Sequence, residues 1–455
     1  MEYKTIFVPL FQGVEARNIL RTGIYKGLVA APNVRLVFFV SREEKKIYYQ
    51  KEFSGSQVFY EVFDHYRSGF WDRFFDQLSI YLLKSETMDL KRRLRYEERN
   101  GVMRYALAFI FNRVFARPLI RRMVRFFDYH LVRDINYSQH FDTYQPQIVF
   151  LAHLFGANEV AMLREARRRG IFSVGLINSW DKLTSRCMLR LLPDKLVVHT
   201  SLMQQEALYH TDIPKDRVYI AGVPDFDHYV GASTEPRAIF CNKLGLDPSK
   251  KIILFCPMGK AFSDSDWELL EVLQELIKKG DLYLKTQVIV RYPPNDTVEQ
   301  KSELDKNIFV IDIPGTRFTS ERGVDWDMSF KDLEHLRNTL THSDVVICPP
   351  STMTIDAAIW DKPVINIGFD GKVPRPRHKS FTRFYYSTHY RRLLRHNGVS
   401  LPETAEELRQ TLLQYLNNPE IHREGRKKIV EEQCGVLDGQ AGNRIGNFIL
   451  SFVKV

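Results

Sequence analysis

The chain has 455 residues, 44% apolar and 26% charged, with 65 Lys and Arg against 55 Asp and Glu for a formal net charge of +10. That length is roughly three times the ~150-residue prior for one domain, so two or three sizeable cores are expected. No apolar run approaches the ~18 residues that a membrane span needs, and the opening MEYKTIFVPLF reads as a first strand rather than a signal peptide. Five scattered cysteines, never in a CxxC pair, fit a reducing cytosol and argue against both a disulfide framework and a zinc site.

The elements alternate from the start. A strand at Thr5–Pro9, a helix around Val14–Leu28 and a strand at Arg35–Val40 predict a parallel sheet. From about Arg42 to Asp134 the pattern turns helical and charged, which predicts an excursion from that sheet. Within it, Lys91–Arg133 holds twelve Lys and Arg against three acids, so this segment carries +9 of the net charge. Its RYALAFIFNRVFARPLIRRMVRFF interleaves Arg with Phe, Leu and Ile. Such a segment suits an anionic membrane surface, or a solvated helix pair with its apolar side in the core. No nucleic-acid signature accompanies it, so a nucleic-acid partner is not expected.

The alternation then resumes. Strands are predicted at Ile148–Ala152, Phe172–Ile177, Lys195–His199 and Val218–Ile220, with helices at Asn158–Arg169 and Ser201–Tyr209. After the Pro- and Gly-containing AGVPDFDHYVGASTEP, a second series begins. It comprises strand Ile252–Cys256, helix Asp266–Lys279, strands Gln287–Arg291 and Ile308–Ile311, and helix Lys331–Thr341. Strand Val345–Cys348, helix Thr352–Trp360 and strand Pro363–Ile367 follow, then helices at Ala405–Tyr415 and Ala441–Val453. The expected fold is α/β, two Rossmann-like domains facing across a cleft. Their expected spans are 1–225 (with the 42–134 insertion) and 236–440, and residues 441–455 form a terminal helix that crosses back to the first.

The unit at Asp344–Asp370 carries the most chemistry. Its strand stops at Pro349–Pro350, where parallel sheets place ligand sites, and Ser351 and Thr352 bring two hydroxyls to a helix start. Both residue types also cap helices, but no Glu or Gln stands where a capping box needs one. Free amides and the helix dipole suit a phosphate, and Asp356 one turn on suits a ribose diol, so the pair suits a nucleotide.

These residues carry a resemblance. SDVVICPPSTMTIDAAIWDKPVINIGFD resembles the nucleotide-binding signature of GT-B-fold glycosyltransferases, nearest to bacterial surface-polysaccharide and CDP-glycerol glycerophosphotransferase-like enzymes. CGVLDGQAGNRIGNFI is similar to their terminal D-G-x-(A/S)-x-x-R-I helix. LPDKLVVHTSLMQQEALYHTDIPKDRVYIAGVPDFD looks like the close of their N-terminal domain. The likeness covers about 140–455 best and the 42–134 excursion not at all. It implies donor phosphates at Ser351 and Thr352, beside Pro350, and a ribose at Asp356, where the family usually has Glu. It also implies that His389, in FTRFYYSTHYRRLLRHNG, lies in a segment that closes over the donor.

Other candidates rest on strand ends. Arg291, after Gln287–Val290, is placed to pair with a pyrophosphate, or else to be held by Asp296. Gly259–Lys260 forms a second turn suited to phosphate, without the spacing of a P-loop. The DxD pairs Asp264/Asp266 and Asp325/Asp327 are metal candidates. GT-B enzymes generally use helix dipoles and basic groups instead, so no metal and no cofactor is expected. For the base that takes the acceptor proton, Asp181, Glu15 and His153 each follow an apolar strand.

The resulting expectation is a cytoplasmic transferase, peripheral on the inner face of the cell membrane. It would move a sugar or polyol phosphate from a UDP- or CDP-type donor to a surface-glycan or lipid-linked acceptor. A UDP-N-acetylglucosamine 2-epimerase-like isomerase and a non-catalytic nucleotide-sugar-binding protein are the alternatives.

Overall fold

Short runs of β-branched and aromatic residues pair into parallel sheets, because each run is apolar on both faces and needs cover on both. The computed structural model describes residues 3–453 other than 64–65, 100, 134, 280–281, 283, 320–322 and 324. Two compact units result, 1–230 with 434–455, and 231–433.

In the first unit the strands are β1 (Lys4–Pro9), β2 (Val34–Val40), β3 (Val58–Val62), β4 (Ile148–Leu151), β5 (Phe172–Leu176), β6 (Lys195–Val198) and β7 (Val218–Ile220). Among the described residues they form one parallel sheet in the order β3-β2-β1-β4-β5-β6-β7. Alternate side chains divide between two cores. Ile6, Val8, Leu36, Phe38, Ile148 and Phe150 pack on one face, and Phe7, Val37, Phe39, Val149 and Leu151 on the other. The terminal helix Ala441–Leu450 adds Ile445 and Ile449 to the first of these cores. Asp227 fixes its start by accepting from Ala441 N (3.0 Å) and Gly442 N (2.7 Å). Gly442 has to be small, since a Cβ there would come within 2.7 Å of Gly23 N.

In the second unit β8 (Lys251–Phe255), β9 (Thr286–Arg291), β10 (Phe309–Asp312), β13 (Val345–Cys348) and β14 (Val364–Asn366) form a parallel sheet in the order β10-β9-β8-β13-β14. A short antiparallel ribbon, β11 (Thr316–Arg317) with β12 (Trp326–Asp327), stands apart from it. Helix Asp266–Lys278 buries Trp267, Leu270, Leu273 and Ile277 against this sheet.

Three expectations need correction. The 42–134 segment is not purely helical: β3 extends the sheet at its edge, paired with β2 from Leu36↔Val58 to Val40↔Val62. The helix expected over Val14–Leu28 is two, Gly13–Leu20 and Gly23–Ala30. Thr22 starts the second by accepting from Ile24 N (3.3 Å).

The third correction concerns the basic segment. Its helices are Glu86–Arg99, Val102–Phe115 and Pro118–Leu131. Several of its cations are structural, not superficial. Arg121 and Arg125 are buried and both meet Asp212, with Arg121 Nε at 2.7 Å and Arg125 Nη1 at 3.1 Å from Oδ2. Asp128 and Asp72 are buried with Arg164 and Arg190 in a lattice whose Arg190 bonds to both aspartates measure 2.7 Å. These helices leave open a set of large apolar side chains together with arginines such as Arg104, Arg113 and Arg122. Val102 and Met103 are 78% and 77% exposed, and Leu107, Ile110, Leu119 and Phe126 are exposed beside them. Among the described residues no helix is long and apolar enough to cross a membrane.

Candidate functional site

Each sheet has one point where successive strands leave in opposite directions, and parallel sheets bind ligands outside the carboxyl ends of the strands there. In the first unit that point lies between β1 and β4, in the second between β8 and β13. Glu15 and His153 fall at the first of these points and Gly259, Ser351 and Thr352 at the second, while Asp181 follows β5 and Arg291 ends β9.

In the first unit β1 ends at Pro9 and the chain turns through Leu10–Gln12 into helix Gly13–Leu20. Glu15 folds back over this turn, and its Oε2 accepts from Phe11 N (2.7 Å) and Gln12 N (3.0 Å). Lys45 holds the same turn from its carbonyl side, donating to Phe11 O (3.0 Å). Glu15 is fully buried, and its carboxyl meets that of Glu159, from helix Ala157–Arg168 after β4. Burial raises both pKa values, and Lys182 opposes the rise. Two carboxyls in contact cannot both ionise cheaply, so the pair holds a proton.

Sequence reasoning missed Glu159. The signal was the spacing in HLFGANE: a Cβ at Gly156 would collide with the Glu159 carboxylate, so the glycine and the acid belong together. His153, in the same stretch, is buried at the end of β4. Burial, then the charges of Lys182 and Arg186, pull its pKa well below the usual range, which leaves a neutral imidazole. Its Nδ1 has no hydrogen-bond partner among the described residues.

The segment after β5 supplies the rest. The Asn178 amide is buried with neither Oδ1 nor Nδ2 bonded among the described residues, while its backbone carbonyl accepts from Asn18 Nδ2 (3.3 Å). Asp181 is half-buried at the start of the short helix Lys182–Ser185. Ser179 Oγ (2.6 Å) and Ser185 Oγ (2.9 Å) donate to its carboxylate. The three base candidates therefore share one neighbourhood, in which Glu15 and His153 are enclosed and Asp181 is open.

In the second unit β13 stops at Pro349–Pro350, which cannot continue the ladder, and helix Met353–Ile359 follows. Thr352 stands at its N-cap in helical conformation and makes no side-chain cap bond, and it is exposed, while Ser351 is half-buried and Pro350 buried. Asp356 is buried on the first turns, and its charge is felt at Cys256 and Cys348. The turn is held from beneath by a network absent from the sequence reading. Thr354 Oγ1 bonds Tyr390 Oη (2.7 Å), and Asn366 joins both at 3.0 Å. His389, next to Tyr390, is half-buried and its Nε2 lies 3.3 Å from Ser387 Oγ.

Two expectations change here. Arg291 is buried and its partner is Asp312 of the neighbouring strand β10, not Asp296. His335 shares that carboxylate at 3.2 Å, so one side of the guanidinium is held by a pair within the sheet, while its Nη2 is buried without a hydrogen-bond partner among the described residues. Gly259 does not present its amide to a phosphate. Asp266 accepts from Met258 N (3.0 Å) and Gly259 N (2.7 Å), and Lys260 reaches outward to Glu299 (3.3 Å). Asp264 meets Arg375 at 3.2 Å, so the first DxD pair has separate partners.

The fold has solved relatives. The UDP-bound MnaA of S. aureus superposes with a TM-score of 0.55 at 10% identity, over 99% of this chain and 97% of that one. The UDP-N-acetylglucosamine 2-epimerase of Neisseria meningitidis bound to UDP-GlcNAc gives 0.52 at 12%, over 98% and 100%. The wall teichoic acid polymerase TagF gives 0.54 at 12%, over 99% and 89%. At such identities the likeness carries the fold alone, the two Rossmann-like units of the GT-B class. A comparison with curated protein sequences gives no match. Residues 193–451, more than half the chain, match the family described as CDP-glycerol:poly(glycerophosphate) glycerophosphotransferase. That stretch takes in β6, β7, the whole second unit and the terminal helix, and on it the chain belongs to this family of transferases.

Proposed function

We propose that the chain moves a polyol phosphate, or a sugar, from a nucleotide donor of the CDP or UDP type to a surface-glycan or lipid-linked acceptor. The observation that carries this is the family match, which includes the complete Ser351–Asp356 turn. In this reading Ser351 and Thr352 meet the donor phosphates and Asp356 the ribose diol, with His389 beside them. Arg291, Gly259 and Lys260 act as supports of the second unit rather than as direct phosphate contacts.

Asp181 is the base. It has the surface that Glu15 and His153 lack, and Ser179 and Ser185 hold it as a carboxylate acceptor. The acceptor hydroxyl gives its proton to Asp181, and its oxygen attacks phosphorus (or the anomeric carbon). The bond to the nucleoside phosphate then breaks, and the leaving group keeps the electron pair. Glu15 and His153 shape this pocket.

A thermal-shift panel of CDP, UDP, GDP, ADP and CMP tests the donor side. At ~100 times Kd a bound nucleotide adds roughly 2.7 kcal/mol of stability. No shift with any pyrimidine nucleotide would sink the reading. A 2-epimerase-like isomerase is the second reading, favoured by the shared fold, and transfer of label to an acceptor separates the two. A chain that binds a nucleotide and turns nothing over would be the binding protein.

The apolar face of helices Val102–Phe115 and Pro118–Leu131 supports attachment at the inner face of a cell membrane, close to a lipid-linked acceptor. With Arg121 and Arg125 engaged internally, burial of Leu107, Ile110, Leu119 and Phe126 drives this attachment and exposed arginines assist it. Flotation with phosphatidylglycerol vesicles should survive raised salt in part and be lost in Leu107→Ser with Phe126→Ser. Unchanged flotation of that variant would assign the contact elsewhere.

A further inference from the structure

The short helix that follows Asp181 gathers cations that make no ion pair within 4 Å among the described residues. Lys182 is buried, and its ammonium has no hydrogen bond or ion pair among the described residues. Arg186, which caps the same helix, is exposed and equally unpaired. Lys91 arrives from helix Glu86–Arg99 and donates to Ser185 O (2.6 Å). The helix is clamped from the same side by Ser85, whose Oγ donates to Thr184 O (2.6 Å). Each of the three cations feels at least one of the others.

The neighbouring acids do not cancel this charge. Asp181, Glu15 and Glu159 all act on Lys182, but burial pushes the carboxyls of the Glu15–Glu159 pair towards their neutral forms. Against three cations that leaves a positive surplus at the open end of β5. A buried ammonium that makes no direct hydrogen bond or ion pair is costly, and an anion entering from the Arg186 side would supply one. Beside it, Asn178 has both a donor and an acceptor unused. A phosphate offers acceptors alone, so the amide oxygen asks in addition for a hydroxyl donor.

We propose that Lys182, Arg186 and Lys91 form an anion subsite beside Asp181 that binds a phosphate ester of the acceptor, with Asn178 reading a neighbouring hydroxyl. This rests on the reading of Asp181 as the base that takes the acceptor proton. It makes the helical excursion part of the substrate site through Lys91. Arg186, exposed at the end of the helix, sets preference for an ester over a neutral polyol.

The test uses the whole chain and glycerol 3-phosphate, with inorganic phosphate and glycerol as comparison probes. Calorimetry should show saturable binding of glycerol 3-phosphate, weaker binding of phosphate and none of glycerol. Arg186→Gln and Lys182→Gln should each weaken the ester by about ten-fold or more while CDP affinity stays unchanged. Arg186 is on the surface, so its variant reports even if the Lys182 variant fails to fold. Equal ester affinity in folded Arg186→Gln and wild type overturns the subsite. Loss of ester binding in Asp356→Ala but not in Arg186→Gln also overturns it, by moving the ester to the second unit. Ester binding that depends on Arg186 in a chain that binds no nucleotide upholds the subsite while the donor reading falls. Arg186→Gln that lowers flotation with phosphatidylglycerol vesicles but spares glycerol 3-phosphate would make the anion a lipid headgroup and overturn the acceptor assignment.

Discussion

Both units bury ionisable groups at the carboxyl ends of their strands, but the first sets carboxyls, an ammonium and imidazoles against one another, whereas the second ties Arg291 and Asp266 to fixed partners and forms its turn from hydroxyls and prolines. Glu15, His153, Glu159, Lys182 and His199 are all buried in the first. In the second, Thr352 is exposed, the amides of Met258 and Gly259 are already satisfied by Asp266, and Asp356 is the acid of the turn. One strand plan thus supports two chemistries. Groups held at unusual pKa values suit proton transfer, and fixed hydroxyls and a carboxylate suit holding a polyanion and a diol.

The contrast is broken most severely at Asp181. Asp181→Asn keeps size and removes basicity, and turnover should fall by about 10²–10⁴ with nucleotide affinity unchanged. Full turnover in that variant would remove Asp181 as the base.

Acid should separate the units by sign. Burial holds His199 at about 4, below its ordinary value near 6.5. The folded state then binds fewer protons than the unfolded one, so its contribution is full above pH 6.5 and lost as the pH falls towards 4, about 3 kcal/mol in all. Asp266 moves the other way, since burial raises it to about 6 from 3.8. Its contribution is full below pH 3.8 and lost as the pH rises through 6, about 3 kcal/mol. Denaturant melts across pH 4–7 should therefore flatten in opposite directions in His199→Gln and Asp266→Asn. Parallel changes in the two variants would mean that one of these groups is solvated.

The smallest effect belongs to the second unit. Asp356→Ala should weaken nucleotide binding about ten- to hundred-fold, the equivalent of about 1.5–3 kcal/mol, and leave glycerol 3-phosphate binding untouched. Calorimetry on the folded variant reads both, and an unchanged nucleotide affinity would remove Asp356 from the donor site.

The strands were legible wherever an apolar run was bounded by turn residues. Val345–Cys348 and Val218–Ile220 fall at their expected positions. β3 was not legible, because VFYEV interrupts its apolar run with Glu61 and lies in a stretch whose pattern is otherwise helical and charged. The break at Thr22 was hidden by apolar residues that continue a helical period on both sides of it. At the sites, the acids and hydroxyls could be placed from strand ends, but their partners could not. Arg291 finds Asp312 across a strand pair, and Arg121 finds Asp212 from 91 residues away. Burial of a charge is decided by such distant partners, which no local pattern records.

The lattice of Asp72, Asp128, Arg164 and Arg190 ties helices Phe70–Tyr81 and Pro118–Leu131 to the helix after β4 and to the segment before β6. Its members are almost wholly enclosed, so the joint has no hinge and little give. The excursion is consequently a bracket and not a tether. A tethered enzyme can meet a surface at any angle, but a bracketed one arrives with its sheet at a single tilt. Orientation towards whatever the apolar face touches is therefore built into the core of the first unit.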